Sequence, residues 1–293
     1  MSMASRIRHS FVGYYTRRAI HTLYRRKHLD GKPVDYHISP GVDIRLYPEG
    51  EVAEFLAFPR LFERTELALV SAHLKPGMRV VDVGANIGLY SILAQKLVGS
   101  SGAVWAFEPS AESFGRLNRN LSLNGCAQVH PFQLALSDKV NTTLELRSDK
   151  GYGDAYRYLV ATQETASGDH KSSGSVSVTT LDSWAASNGV NRIDFLKVDI
   201  EGGEFRMFMG AQKLLEASRS VVVLFESESD WCKRAGCSQD DSFKLLERLG
   251  LRLFTLGKGK AKKWVSDRQS LLNSGMVWAC RDADMLPVLD TME

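Results

Sequence analysis

No stretch of this chain approaches the roughly 20 consecutive apolar residues that a membrane-spanning helix needs, and no apolar secretory core stands at its start. The expected location is therefore the cytoplasm. Cysteine is scarce: the 293 residues hold four, Cys126, Cys232, Cys237 and Cys280. The Cys232/Cys237 spacing matches neither the usual zinc pairs nor a redox Cys-x-x-Cys, so all four read as small thiols in a reducing compartment. Acidic residues are missing from residues 1–29, which carry Arg6, Arg8, Arg17, Arg18, Arg25, Arg26 and Lys27. The formal net charge of +3 comes from 37 basic and 34 acidic residues; with those seven set aside, 30 basic face 34 acidic. A mildly acidic body argues against a nucleic-acid-binding surface spread over the protein, and no nucleic-acid partner is expected. The rest is ordinary for a globular protein, 44% hydrophobic and 24% charged, with enough chain for a large core.

The basic start has a pattern. Ile7, Phe11, Tyr14, Tyr15, Ile20, Leu23 and Tyr24 recur at helical spacing with Arg between them, which predicts a basic amphipathic helix over 5–28. Three roles fit it: packing on the main domain or on a second copy, lying on an anionic membrane surface, or organelle targeting. Residues 1–56 are assigned to this arm and a linker, and 57–293 to the main domain.

From residue 62 onward the pattern alternates. A helix over 62–73 stops at Pro76-Gly77, and an apolar strand over 79–83 leads to a helix over 89–98. A strand at 103–107 precedes a helix over 113–123, capped by Ser110 and ended by Asn124-Gly125. Strands at 129–136, 193–198 and 221–225 follow, the last two separated by a helix over 204–217. Such alternation predicts a mostly parallel sheet covered on both faces. Strands at 251–256 and 275–280, joined by the basic loop at 258–263, predict a closing antiparallel pair. An insertion at 137–177 holds a strand at 142–147, a Tyr/Gly stretch at 151–158 and a Ser/Gly-rich segment at 167–175 expected to be a mobile loop.

The clearest motif is Val81-Asp82-Val83-Gly84-Ala85-Asn86-Ile87-Gly88, where a buried strand enters a turn with glycines four apart. Residues without a bulky Cβ let the backbone take unusual angles and pass close to a ligand. The helix start beyond it offers free N–H groups. Glu108 ends the next strand about 20 residues on, where an acid accepts both hydroxyls of a ribose. Asn86 occupies the second glycine position of the dinucleotide fingerprint, which crowds a pyrophosphate but suits a smaller nucleoside such as S-adenosylmethionine. A P-loop is excluded because no Gly-Lys-Ser/Thr follows. Asp82, Gly84, Asn86, Gly88 and Glu108 are thus candidate cofactor residues; the competing reading of Glu108 is a solvated helix-capping acid.

Several segments together resemble the FkbM-type methyltransferases: 81–88, 106–109, 135–138, Thr180-Leu181-Asp182, and above all Ile193-Asp194-Phe195-Leu196-Lys197-Val198-Asp199-Ile200-Glu201-Gly202-Gly203-Glu204, followed by Gly210-Ala211. The likeness runs from about 59 to 281. It implies an α/β, class I methyltransferase (Rossmann-like) doubly wound sheet of seven strands, order 3-2-1-4-5-7-6, with one antiparallel strand. It also implies methyl transfer from S-adenosylmethionine to a hydroxyl on a sugar or a natural-product-like small molecule, and adds Ala135 to the cofactor residues. Gly203 stands where Ala is more common, and the Ser/Gly-rich segment is longer than usual, so acceptor contacts do not carry over.

The strand at 193–198 contains a departure from the continuous apolar run of a buried parallel strand. Lys197 and Asp199 alternate onto one face at the sheet's carboxyl edge, where ligands of open α/β sheets bind. The expectation is that Asp199 lies beside the cofactor's methionine portion and the acceptor, and that Glu201 or Glu204 is the base. Lys197 would hold a carboxylate or stabilise negative charge. Against this, the glutamates also read as favouring a helix start and Lys197–Asp199 as a structural ion pair. Glu226, at the end of the strand at 221–225, is another edge acid, read either as lining the acceptor pocket or as a solvated strand end. No metal ligand set is assigned, although three converging carboxylates would suit Mg²⁺. The rival functions are methylation of protein or nucleic acid, and a non-catalytic binding module. No Asn-Pro-Pro-Tyr-type motif follows the strand, which counts against base or amide methylation.

Overall fold

A computed structural model describes residues 32–39, 41–47, 64–149, 157–160, 170–257 and 263–287. The helix expected over 5–28 and most of the basic loop at 258–263 lie outside them. The chain opens with an antiparallel hairpin, β1 (Val34–Ser39) and β2 (Val42–Leu46), then α1 (Arg64–His73). The alternating part follows as β3 (Arg79–Val83), α2 (Leu89–Val98), β4 (Ala103–Phe107), α3 (Ala111–Leu123) and β5 (Val129–Phe132). The strand expected over 129–136 is broken, its end forming β6 (Ala135–Leu136) in a second sheet, and the insertion contributes β7 (Thr142–Asp149), β8 (Arg157–Val160) and β9 (His170–Thr179). Then come α4 (Leu181–Ser187), β10 (Phe195–Val198), α5 (Glu204–Met209), α6 (Gln212–Ala217) and β11 (Val222–Glu226). The chain continues through α7 (Ser229–Arg234), α8 (Gln239–Arg248), β12 (Arg252–Leu256), β13 (Trp264–Val265), α9 (Arg268–Leu272) and β14 (Met276–Cys280).

The central sheet runs β5-β4-β3-β10-β11-β14-β12-β13. Strands β5, β4, β3, β10 and β11 are parallel, and β14 lies antiparallel between β11 and β12. The resemblance implied seven strands; Trp264–Val265 adds a short eighth at the edge. Both faces of this sheet are covered, which is why β10 and β11 are buried along almost their whole length. One face packs Trp184, Phe208, Phe225 and Phe243; the other packs Leu69, Ile92, Leu117 and Trp278. Each such side chain contributes about 1.5–3 kcal/mol by leaving water. Ser110 caps α3 as expected, accepting from the Ser113 N–H, and Gly125 leaves the helix at φ 60°.

Two stretches differ from the sequence reading. The hairpin falls within the 1–56 arm and linker, yet Val42, Ile44 and Leu46 are buried in the core of the second face. Its backbone is held by α3: the Asp43 N–H donates to Asn124 Oδ1 and the Arg45 N–H to Asn120 Oδ1, both at 2.8 Å. Three alternating apolar residues between a glycine and a proline are too short a signal to read as a strand. The second difference is the Ser/Gly-rich segment. Residues 170–175 begin β9, which pairs antiparallel with β7 (Arg147↔Ser172, Glu145↔Ser175) in a sheet of order β6-β9-β7-β8. Among the described side chains of β9, Val176 and Val178 face its small core with Leu146. A strand with one wet face needs little apolar sequence, so its composition resembles that of a loop.

Candidate functional site at the carboxyl edge of the sheet

The glycines of the turn after β3 are required by closeness to protein. Gly84 adopts φ 78°, and a Cβ there would collide with the Asp199 carbonyl oxygen. Gly88 adopts φ 96°, and its Cβ would stand 2.6 Å from Leu117 Cδ1. The Gly84 and Ala85 N–H groups both donate to the Phe107 carbonyl at 3.0 Å. The turn is thereby drawn against the ends of β10 and β4. Asn86, at φ 48°, is one of few residue types that tolerate the left-handed region.

Glu108 follows β4 and is only 8% exposed. Its Oε2 accepts from the Asn86 N–H and its Oε1 from the Ser110 N–H, each at 2.9 Å. A carboxylate has about four acceptor sites, so each oxygen keeps one for a ligand. Burial pushes this carboxyl up to about 7, against the two N–H donors and Arg157, which favour the ionised form. Arg157 arrives from β8 and donates to Ser110 Oγ at 2.6 Å, Ser113 Oγ at 2.8 Å and Glu112 Oε2 at 2.9 Å.

On the neighbouring strands the register β3·β10 sets Lys197 opposite Asp82. The buried Lys197 Nζ lies 3.3 Å from Asp199 Oδ2 and 3.8 Å from Asp82 Oδ1. It donates to the Gly84 carbonyl at 3.5 Å and sits 4.7 Å from the centre of the Tyr90 ring. Asp82, 1% exposed, accepts from Ser91 Oγ at 2.6 Å. Burial raises the Asp82 carboxyl, while Lys197 and Ser91 oppose that shift. Asp82 thus ties β3 to α2 and to Lys197 behind the turn, whereas Asp199, with its side chain 27% exposed, faces outward.

The remaining acids divide by what they touch. Glu204 is buried, and its Oε1 accepts the Ile200 N–H at 3.0 Å and the Gly202 N–H at 3.3 Å. Burial raises this carboxyl to about 7. It organises the turn between β10 and α5. Glu201, at φ 56° in that turn, is brought instead to Asp199 and Glu226: one carboxylate oxygen of each lies within 4.8 Å of the other two. Glu226 ends β11, its Oε2 is buried without a hydrogen-bond partner, and its carboxyl is raised well above the usual range by burial and then by Glu201 and Asp199. Three carboxylates so close cannot all be ionised in isolation; they share a proton or hold a cation.

Of the sequence-derived residues, Asp82, Gly84, Asn86, Gly88, Glu108, Lys197, Asp199, Glu201 and Glu204 all gather at this edge. Ala135 does not join them through its side chain, which is buried in the small sheet's core. Sequence reasoning gave Glu226 only a passing place as an edge acid, and missed Ser91, Tyr90 and Arg157. It also missed the stack in which Arg234 lies 4.6 Å from the Tyr158 ring centre and 4.4 Å from that of Trp231. Adjacent β8 residues Arg157 and Tyr158 therefore reach the start of α3 and the end of α7. No local signal marks such contacts, because they cross from an insertion.

A family profile described as the methyltransferase FkbM domain matches residues 82–253. Methyltransferase sdnD of Sordaria araneosa is 30% identical over 180 residues, 52% of this chain and 68% of that protein. The 2-O-methyltransferase NoeI of Sinorhizobium fredii is 24% identical over 187 residues, 61% of this chain and 75% of that protein. The hexuronic acid methyltransferase AglP of Haloferax volcanii is 27% identical over 175 residues, 58% of this chain and 62% of that protein.

Proposed function

This chain belongs to the methyltransferase FkbM family, and we propose that its sheet edge binds S-adenosylmethionine and directs the methyl group to a hydroxyl of a sugar or natural-product-like small molecule. The observation that carries the reading is the separation of labour along one edge. Glu108 offers a pre-oriented carboxylate with an acceptor site left on each oxygen, and a few strands away Asp199, Glu201 and Glu226 converge. The donor set suits the cofactor: a ribose diol needs acceptors, and a sulfonium with an ammonium group is complemented by acids.

When bound, the cofactor supplies an electrophilic methyl group on sulfur. Glu108 would hold the ribose hydroxyls, the turn at Gly84, Asn86 and Gly88 would flank the nucleoside, and Asp199 would lie beside the methionine portion. An acceptor hydroxyl sheds its proton as its oxygen is methylated, and the Asp199–Glu201–Glu226 cluster receives that proton as a unit. Lys197 positions Asp199 by charge, and Glu204 positions Glu201 by fixing the turn. The names of NoeI and AglP, a 2-O-methyltransferase and a hexuronic acid methyltransferase, support an oxygen acceptor on a sugar.

Calorimetry with S-adenosylmethionine tests the cofactor assignment; a folded protein that shows no binding would sink it. Screening hydroxylated acceptors for a cofactor-dependent mass gain then identifies the substrate class. Turnover that is abolished by chelation and restored by Mg²⁺ would reassign the acid cluster from proton transfer to cation binding. No helix among the described residues is long and apolar enough to cross a membrane. We assign the basic segment at 5–28 to packing against the domain or a second copy. A chain lacking residues 1–30 with unchanged solubility, activity and oligomeric state would return the segment to membrane contact or targeting.

A further inference from the structure

Helix α7 closes in a left-handed glycine cap. Gly236 adopts φ 74°, its N–H donates to the Lys233 carbonyl at 3.1 Å, and the Cys237 N–H donates to the Cys232 carbonyl at 2.9 Å. This pair of bonds sets the third residue from the helix end against the second residue beyond the cap, positions that commonly share an apolar contact. Here both positions are cysteine. The run Cys232-Lys233-Arg234-Ala235-Gly236-Cys237 therefore brings two thiols together without a Cys-x-x-Cys motif.

The Cys237 thiol lies 3.3 Å from the Cys232 carbonyl oxygen and 3.9 Å from that of Gly202. Interaction between the two thiols lowers the Cys237 thiol below its usual range and raises that of Cys232. Cys237 is partly exposed and Cys232 is buried. Such a pair has an accessible, more acidic attacking sulfur and a resolving sulfur behind it. A disulfide needs Cα atoms about 5–6 Å apart, a separation that a chain turn closed by an N–H to carbonyl bond provides. Cys126 and Cys280 are both buried, and burial raises their thiols.

We infer that Cys232 and Cys237 form a redox modification site, which closes to a disulfide in the presence of a low-molecular-weight disulfide and disturbs the turn that carries Glu201. Cys237, as thiolate, attacks one sulfur of oxidised glutathione; that S–S bond breaks and one glutathione leaves, taking up the proton that Cys237 released. Cys232 then loses its proton to solvent and attacks the Cys237 sulfur of the mixed disulfide. The second glutathione leaves and is protonated. Two protein thiols are oxidised and one oxidised glutathione is reduced to two thiols. The closed ring is small and gains little loop entropy, so the bond is readily reduced.

The coupling to the turn is steric. Gly202 adopts φ 101°, a Cβ on it would overlap the Trp231 carbonyl, and its N–H is one of the two held by Glu204. Drawing the Cys237 sulfur onto Cys232 removes it from the Gly202 carbonyl and shifts the chain packed on that residue. This inference does not depend on what the sheet edge binds.

The test treats the whole protein with oxidised glutathione, maps non-reduced peptides by mass spectrometry and follows amide exchange over 199–204. The expected product loses the mass of two hydrogens across the Cys232 and Cys237 peptides and reverts with dithiothreitol. Exchange at Ile200 and Gly202 rises in the oxidised form and returns on reduction. Cys232→Ser should stall with one glutathione on Cys237, and Cys237→Ser should form neither product at this pair. A wild-type protein that keeps glutathione on Cys237, or is modified only at Cys126 or Cys280, overturns the site. A disulfide that leaves exchange at Ile200 and Gly202 unchanged overturns the coupling.

Discussion

Glu108 and the Asp199–Glu201–Glu226 cluster are both acids at the same sheet edge, but they are kept there by different means. Glu108 is held by two backbone N–H groups and countered at longer range by Arg157. The cluster sets carboxylates against one another, and Glu226 Oε2 is buried without a hydrogen-bond partner. A carboxylate anchored by fixed N–H donors has one orientation and suits binding. A carboxyl such as that of Glu226, whose proton affinity is raised by burial and by the acids beside it, suits proton transfer. The two ends should therefore fail differently when mutated.

The largest effect is expected at the cluster. Asp199→Asn should lower kcat by about 10²–10⁴-fold, the usual contribution of a general base, and weaken S-adenosylmethionine binding by much less. Glu201→Gln should act in the same direction. Saturation kinetics on the identified acceptor, combined with calorimetry, separates the two quantities. Equal losses in affinity and turnover would break the comparison, making the edge one binding surface; unchanged turnover in both variants would leave the cluster structural.

Glu108→Ala comes next and should invert the pattern. Removing a charged acceptor of two ligand hydroxyls costs about 3 kcal/mol, or roughly a hundredfold in Kd for S-adenosylhomocysteine. At saturating cofactor, kcat should stay close to wild type. A variant that binds normally would mean that Glu108 serves only to join the Asn86 and Ser110 amides.

How legible each end was follows from how locally it is built. The glycine turn, Glu108 and the Lys197/Asp199 alternation lie within single strands and their adjoining turns, so period and spacing reveal them. The central sheet was legible for the same reason, through buried strands alternating with helices. The carboxylate cluster needs β10 and β11 side by side, and only then does Glu226 meet Glu201. Arg157 reaches Ser110 across 47 residues and Ser113 across 44, from an insertion whose strands look polar in sequence. The β1–β2 hairpin was lost to its brevity, and the Cys232–Cys237 contact to a helix-end geometry that spacing rules for metal and redox motifs do not include.

A smaller effect, in pH, sharpens the binding end. The Glu108 carboxyl stands at about 7 in the protein without cofactor, chiefly through burial. Its ionised form accepts ligand hydroxyls best, so S-adenosylhomocysteine affinity should weaken as pH falls through 7, by about tenfold between pH 8 and pH 6. Glu108→Gln should bind weakly and lose this dependence. A wild-type affinity that is flat between pH 6 and 8 would show that the carboxyl is already ionised, and that the N–H donors outweigh burial.

The smallest expected effect concerns stability, and Glu204 supplies it. Its folded carboxyl is raised to about 7, above its ordinary value of 4.5, chiefly by burial. Folding therefore favours the protonated form: the contribution is fully present below pH 4.5 and is lost as pH rises through 7. Glu204→Gln keeps an oxygen for the Ile200 and Gly202 amides but removes the charge, so its Tm should exceed that of wild type at pH 8 and converge with it near pH 5. His73 works in the opposite direction. Burial lowers it to about 4, so stability tied to its neutral form declines as pH falls from 6.5 towards 4. The variants should consequently be compared at one pH at a time, since the difference between them isolates Glu204 while His73 affects both. A Glu204→Gln protein no more stable than wild type at pH 8 would mean that the two amides stabilise the carboxylate enough to offset its burial. Glu204 would then resemble Glu108 as an anion fixed by backbone donors, and the contrast would narrow to the three carboxylates that face one another.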